Sequence, residues 1–237
     1  MVRVIAHRGA SIEEIENTLE AFRRAVLEGA DGIEMDVRRA KSGELVVFHD
    51  DDLRRLAGLN ARAEELTLPE LKEVLLRHPS DPSKTGRIPA LDEVLSDEAL
   101  KRVTLCIEIK SDGIEEDLVG MLRRRELIGR SIIYSFNPEH LVRVKSIEPR
   151  VRVNLLFGRD RYANLRLALE SGFDMINPEH YDADEEFVSL AVESGLTVTV
   201  GRTNDPDEIR RVARLPIWGL HTDLPALAVR IVRGMGR

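Results

Sequence analysis

The sequence predicts an α/β chain of the (β/α)8 TIM barrel class, with a short insertion after the second strand and its hairpin. Three observations carry this. The chain has 237 residues, close to the roughly 250 of one such barrel. Apolar β-rich runs alternate with helical patterns eight times. Histidine, arginine and carboxylate residues gather where the apolar runs end, and that end of a barrel strand is where barrel enzymes place their chemistry. A hydrophobic content of 43% suffices for one core, so residues 1–237 read as a single domain.

Residues 3–6 read as the first strand. Residues 17–28 read as the first helix, with Asn17 as its cap, Glu20 completing a capping box and Gly29 as its stop. The second strand covers residues 31–37. Further strands follow at 103–109, 131–136, 151–157, 173–176, 196–200 and 217–221. Helical patterns lie at 114–127, 139–147, 162–170, 184–193, 206–213 and 225–232. The apolar run 45–48 would make a ninth strand. Only residues 38–44 separate it from the second, with Ser42-Gly43 as a turn, too few for a parallel crossover. It must return antiparallel, which brings His49 back to the level of Asp36. Residues 51–89 then form an insertion over the mouth, with a short helix at 69–76 and a polar, turn-rich tract at 78–86.

A net charge of -7 argues against nucleic acid as the partner and leaves small anions open. No apolar stretch reaches the roughly 18 residues of a membrane span. The start is too soon interrupted by His7 for a signal peptide. The single Cys106 cannot form an internal disulfide. Together these features point to a cytoplasmic chain.

Strand alternation sorts the side chains. Glu34 and Asp36 share one face, while Ile33, Met35 and Val37 take the other. By the same rule Cys106, Glu108 and Lys110 share a face, as do Ile5 and His7. Three carboxylates from two strands repel one another in a partly desolvated mouth, so protonation or a cation must relieve them. A hard divalent cation is the economical answer: all-oxygen ligation by Glu34, Asp36 and Glu108 suits Mg2+ or Ca2+, with Mn2+ also allowed, and does not suit zinc. Plainer readings exist for each residue. A lone strand-end histidine is often structural, paired acids can be solvated, and Cys106 is small core filler. The joint presence of His7, His49 and three carboxylates favours a site. One four-residue run, Asn-Pro-Glu-His, occurs twice, at residues 137–140 and 177–180. Both copies read as strand-to-helix junctions with Pro in the first helical turn.

As an ordered set, the motifs resemble the glycerophosphodiester phosphodiesterase family of the phospholipase C-like barrel superfamily, in its compact cytosolic form. They are His7-Arg8-Gly9, Glu16-Asn17-Thr18, Glu34 with Asp36, His49-Asp50, Leu53 with Arg55, Glu108 with Lys110, Ser135-Phe136 and Thr222-Asp223. The resemblance covers nearly the whole chain. It implies hydrolysis of a small-molecule glycerophosphodiester to sn-glycerol 3-phosphate and an alcohol, with one divalent cation on Glu34, Asp36 and Glu108. His7 and His49 would divide acid and base work, Arg8 and Lys110 would supply positive field at the phosphate, and Phe136 would line the pocket. The ion and two cationic side chains against three carboxylates leave about one net positive charge, matched to a monoanionic diester. A lysophospholipase D acting on lipids is the alternative; a barrel that only binds phosphodiesters should have lost a histidine or a ligand, and none is lost. One departure stands out. Where the family has Trp-Thr-Val-Asn after the seventh strand, this chain has Gly201-Arg202-Thr203-Asn204. The wall of the alcohol pocket should differ there, with Arg202 placed to reach an anionic head group.

Overall fold

A computed structural model describes residues 1–236. Eight parallel strands close on themselves in the order β1 (Arg3–Ala6), β2 (Gly32–Arg39), β6 (Thr104–Ile109), β7 (Ser131–Ser135), β8 (Arg152–Leu156), β9 (Met175–Asn177), β10 (Thr197–Val200) and β11 (Gly219–Thr222), with β11 pairing back onto β1. The predicted barrel is present. Its register places Asp36 beside Glu108 and Glu34 beside Cys106, so the acidic face of β2 adjoins that of β6.

Alternation is what separates the two cores. Ile33, Met35, Val37, Leu105, Ile107 and Ile109 pack outward with Phe22 of α1 (Leu19–Leu27) and Leu118 of α5 (Glu115–Arg124). Ile5, Cys106, Ile132, Tyr134 and Met175 fill the inside. Each such fully buried aliphatic side chain contributes about 1.5–3 kcal/mol. Cys106 is wholly buried, and burial pushes its thiol up to about 12. It is core filler.

The extra apolar run forms β3 (Leu45–Val47), antiparallel to β2 with Val37 opposite Val47. Phe48 then donates its N–H to the Asp36 carbonyl at 2.9 Å. His49 therefore emerges at the level of the acidic pair, as the short connection required. The segment after it packs as a lobe around Phe48, Leu53, Leu56, Leu71, Leu76 and Ile88. It carries α2 (Arg54–Ala57) and α3 (Leu68–Glu73); α4 (Leu91–Leu95) follows it, and α7 (Arg161–Glu170) lies between β8 and β9.

Three local expectations are corrected. The helix of the insertion stops at Glu73 rather than running to residue 76, because Val74 turns extended and Leu76 enters the lobe core. Leu76–Arg77 then forms β4, paired with β5 (Thr85–Gly86). The cap of α1 is Thr18, whose hydroxyl accepts from the Ala21 N–H at 3.3 Å. Asn17 is taken by the site instead. The second Asn-Pro-Glu-His copy does not open an α-helix. Asn137 caps α6 (Pro138–Ile147) by accepting from the Glu139 N–H, whereas the Asn177 oxygen accepts from the Thr199 hydroxyl at 2.7 Å and makes no cap. A single 3-10 turn follows at His180–Asp182, and α8 (Glu185–Glu193) starts later.

Candidate active site at the barrel mouth

Strand β1 ends at Ala6 and the chain turns sharply through His7-Arg8-Gly9. Gly9 has φ +86°, and a Cβ there would lie 2.6 Å from the Ala21 carbonyl carbon, so only glycine fits. Arg8 adopts φ +59°, a left-handed conformation that costs a non-glycine residue about 1 kcal/mol or more. Its contacts offset that strain. The Arg8 N–H donates to Glu34 Oε2 at 3.0 Å, and its guanidinium reaches Glu16 Oε1 at 2.9 Å and Asp36 Oδ2 at 3.2 Å.

Around this turn the two histidines are held alike. His7 Nδ1 donates to Asp223 Oδ1 at 2.7 Å, and His49 Nδ1 donates to Asp50 Oδ1 at 2.7 Å. A carboxylate partner fixes the proton on Nδ1 and leaves each Nε2 for other work. Behind each aspartate stands an arginine: Arg202 reaches Asp223 Oδ2 at 2.7 Å, and Arg55 from α2 reaches Asp50 at 2.7 Å. Arg55 also grips both oxygens of Glu16, the residue that holds Arg8. One guanidinium from the insertion thus ties the His49 pair to the Arg8 turn. Buried Arg38 donates twice to the His49 carbonyl, at 2.8 and 3.1 Å, and fixes its backbone.

Beneath them lies the acidic cluster. Glu34, Asp36 and Glu108 each offer an oxygen within 4.8 Å of the others, and all three are buried. Burial, then repulsion from Asp36 and Glu108, pushes Glu34 well above the usual carboxylate range; the same causes, burial and then Asp36, bring Glu108 to about 7. Burial opposes charge on Asp36 as well, but Arg8 and Lys110 outweigh it and keep this group ionised. Asn17 adds a hydrogen bond to Asp36 Oδ2 at 2.8 Å. Lys110 sits 2.6 Å from Glu108 and 3.3 Å from Asp36.

The donor set fits a hard divalent cation. It is all oxygen, Asp36 Oδ1 is buried and makes no hydrogen bond although the Lys110 ammonium lies 3.3 Å away, and burial together with the charge of Asp36 drives the other two acids toward the protonated form. Among the described residues this is the one such cluster. His140 and His180, the last residues of the two Asn-Pro-Glu-His runs, bond separately to Asp112 and to Glu208.

A cleft of about 740 Å³ opens above the cluster. His7, Arg8, Glu34, His49, Glu108, Lys110, Phe136 and Arg202 all line it, and Asp36 lies wholly buried below. Every predicted site residue is therefore in one place. Phe136 is 57% exposed at the rim, its ring 6.0 Å from Lys110 Nζ. Arg202 does line the cleft, but its charge is engaged by Asp223. What motif reading left without a role is the supporting layer: Asn17, Arg38, Asp50, Arg55 and Asp223. The signal for most of them was present, since Asn17, Asp50, Arg55 and Asp223 fall within the ordered motifs.

A barrel whose mouth joins a buried acidic cluster to two aspartate-held histidines and a cationic turn carries the groups of an acid-base enzyme. Comparison with known proteins makes this specific. Residues 7–227 match the family described as the glycerophosphoryl diester phosphodiesterase family, and the chain belongs to it. A protein of Caldanaerobacter subterraneus named glycerophosphodiester phosphodiesterase is 33% identical over 239 residues, covering 98% of each chain. A crystal structure of a putative glycerophosphoryl diester phosphodiesterase from Silicibacter pomeroyi superposes with TM-score 0.90 at 26% identity, over 100% of this chain and 94% of that one. A glycerophosphodiester phosphodiesterase from Thermotoga maritima superposes with TM-score 0.80 at 28% identity, over 98% of both. Among the described residues no helix is long and apolar enough to cross a membrane.

Proposed function

We propose that this chain hydrolyses glycerophosphodiesters to sn-glycerol 3-phosphate and an alcohol, with one divalent cation on Glu34, Asp36 and Glu108 and with His7 and His49 as the acid-base pair. The observation that carries the reading is the convergence of both Nδ1-anchored histidines on the cleft that covers the acidic cluster. The full-length match to a protein named for this activity favours it over the lipid-directed alternative.

Bound there, Mg2+, Ca2+ or Mn2+ would draw off the charge that builds on the phosphate oxygens. The rest falls to the chain. Arg8 and Lys110 orient the phosphate and oppose its negative charge. His7 uses Nε2 to take a proton from the nucleophile, and Asp223 steadies the imidazolium that results. His49, protonated on both nitrogens, gives its Nε2 proton to the departing alkoxide while Asp50 holds the other. Each transfer contributes about 100-fold to 10,000-fold.

Product analysis tests the reading. Glycerophosphocholine incubated with the chain and each of the three cations should yield glycerol 3-phosphate and choline. Release of phosphocholine and glycerol, or no turnover with any cation, would overturn it.

A further inference from the structure

The repeated Asn-Pro-Glu-His run leads to an unassigned group in the cleft. In the first copy Glu139 lies in the first turn of α6, where a negative charge suits the helix dipole. In the second copy the cap is lost to Thr199, and Glu179 stands before a single turn instead. Its side chain lines the cleft. Among the described residues it makes no hydrogen bond and no ion pair. The other cleft carboxylates are all engaged: Glu16 by Arg8 and Arg55, Glu34 by the Arg8 N–H, Glu108 by Lys110, and Asp223 by His7 and Arg202.

Gly201 is what leaves room for it. A Cβ at this position would lie 2.9 Å from Glu179 Oε2, 3.1 Å from Glu179 Cα and 3.1 Å from the Pro178 carbonyl oxygen. The Gly201 N–H donates to that same oxygen at 2.7 Å, locking the two strand ends together. A side chain at 201 would push the Glu179 carboxylate aside and press on the Glu179 Cα and the Pro178 oxygen. The two candidate counter-charges that share this part of the cleft are engaged elsewhere: Arg202 is turned to Asp223, and His180, next in the chain, to Glu208. Glu179 follows β9, which stands four strands from β2 whichever way the ring is followed. The cleft is thus polarised, with Arg8 and Lys110 over the acidic cluster on one side and an unpaired carboxylate on the other. Tyr181, 65% exposed, lines the same wall and offers a ring face to a cation.

We infer that Glu179, in the space left by Gly201, is a specificity-determining residue that receives an ammonium group on the alcohol half of the diester. The inference rests on the phosphodiesterase reading above. A neutral alcohol packed against Glu179 would strip water from a carboxylate and return nothing, whereas an alkylammonium supplies the missing charge. Choline and ethanolamine esters fit. A carboxylate-bearing or otherwise anionic alcohol does not.

The test is a ratio, which does not depend on the fraction of protein that folds. For the wild-type chain, kcat/KM should be higher for glycerophosphocholine and glycerophosphoethanolamine than for neutral glycerophosphoglycerol. In Glu179→Gln the ammonium-to-neutral ratio should fall about tenfold, while Glu179→Asp keeps part of it. Lysophosphatidylcholine, run beside glycerophosphocholine, tells whether the ammonium comes on a lipid or on a water-soluble diester, and a lowered ratio in either series supports the role of Glu179. A ratio unchanged in Glu179→Gln, or a wild-type preference for neutral or anionic alcohols, would overturn it. Choline alone is the probe that separates this claim from the phosphodiesterase reading. Its binding, followed by saturation-transfer NMR, should weaken in Glu179→Gln even if no diester is turned over, and equal binding in both proteins counts against Glu179.

Discussion

His49→Ala is expected to lower kcat on glycerophosphocholine by about 1,000-fold, and to lose far less on a diester whose leaving group is p-nitrophenolate. An alkoxide needs a proton as it departs and a nitrophenolate does not, so the contrast isolates the acid. His7→Ala should fall by a similar factor on both substrates, because the nucleophile must lose its proton in either case. The pH profile carries the same signature. Burial, with Arg8 and Lys110 nearby, depresses the imidazolium of His49 below its ordinary range despite Asp36. An acid with a depressed pKa loses its proton early, so the alkaline limb of kcat/KM should begin below pH 6.5 and move up in kcat, where the bound phosphate adds negative charge. A His49→Ala enzyme that remains fully active on glycerophosphocholine would remove the assignment.

Asp36→Asn is expected to be at least as damaging, and for two reasons. It removes a carboxylate from the cation site, and it takes away the negative charge at which Arg8, Lys110 and Asn17 meet. Breaking such a buried set typically costs about 3–5 kcal/mol because the partners are left uncompensated. Turnover should drop by about 1,000-fold or more and divalent-cation affinity by at least about tenfold, with a lower midpoint in urea. Glu34→Gln and Glu108→Gln should weaken the cation with a smaller loss of stability, since both carboxyls already lean toward the neutral form. Isothermal titration and urea unfolding on the same preparations separate the two effects. Unaltered affinity and rate in Asp36→Asn would count against the cluster as a cation site.

The barrel and the core of its mouth were legible because they depend on short-range rules. Alternation along β2 and β6 is enough to aim Glu34, Asp36 and Glu108 inward, and the five residues between β2 and β3 are too few for anything but a hairpin, which delivers His49. The supporting residues were harder because their partners are remote. Asn17 reads as a helix cap until Asp36, 19 positions on, claims its amide. Asp223 lies 216 positions from His7, and nothing local says that it holds that ring. Arg38 alternates onto the face it should occupy, yet its role in fixing the His49 carbonyl depends on how the hairpin closes. The two Asn-Pro-Glu-His copies make the point most directly. Identical residues give a capped helix where Asn137 is free to cap and an unpaired cleft carboxylate where Thr199 occupies Asn177.

The proposed chemistry turns on one cation serving one pair of histidines. The most direct measurement is a titration of the chelated chain with Mn2+, reading bound ion by electron paramagnetic resonance and glycerol 3-phosphate release in parallel. Activity should rise in step with the first bound ion, saturate at about one per chain, and fall together with the affinity for that ion in Asp36→Asn. Full turnover by the chelated chain, or activity that rises without any tightly bound ion, would contradict the account.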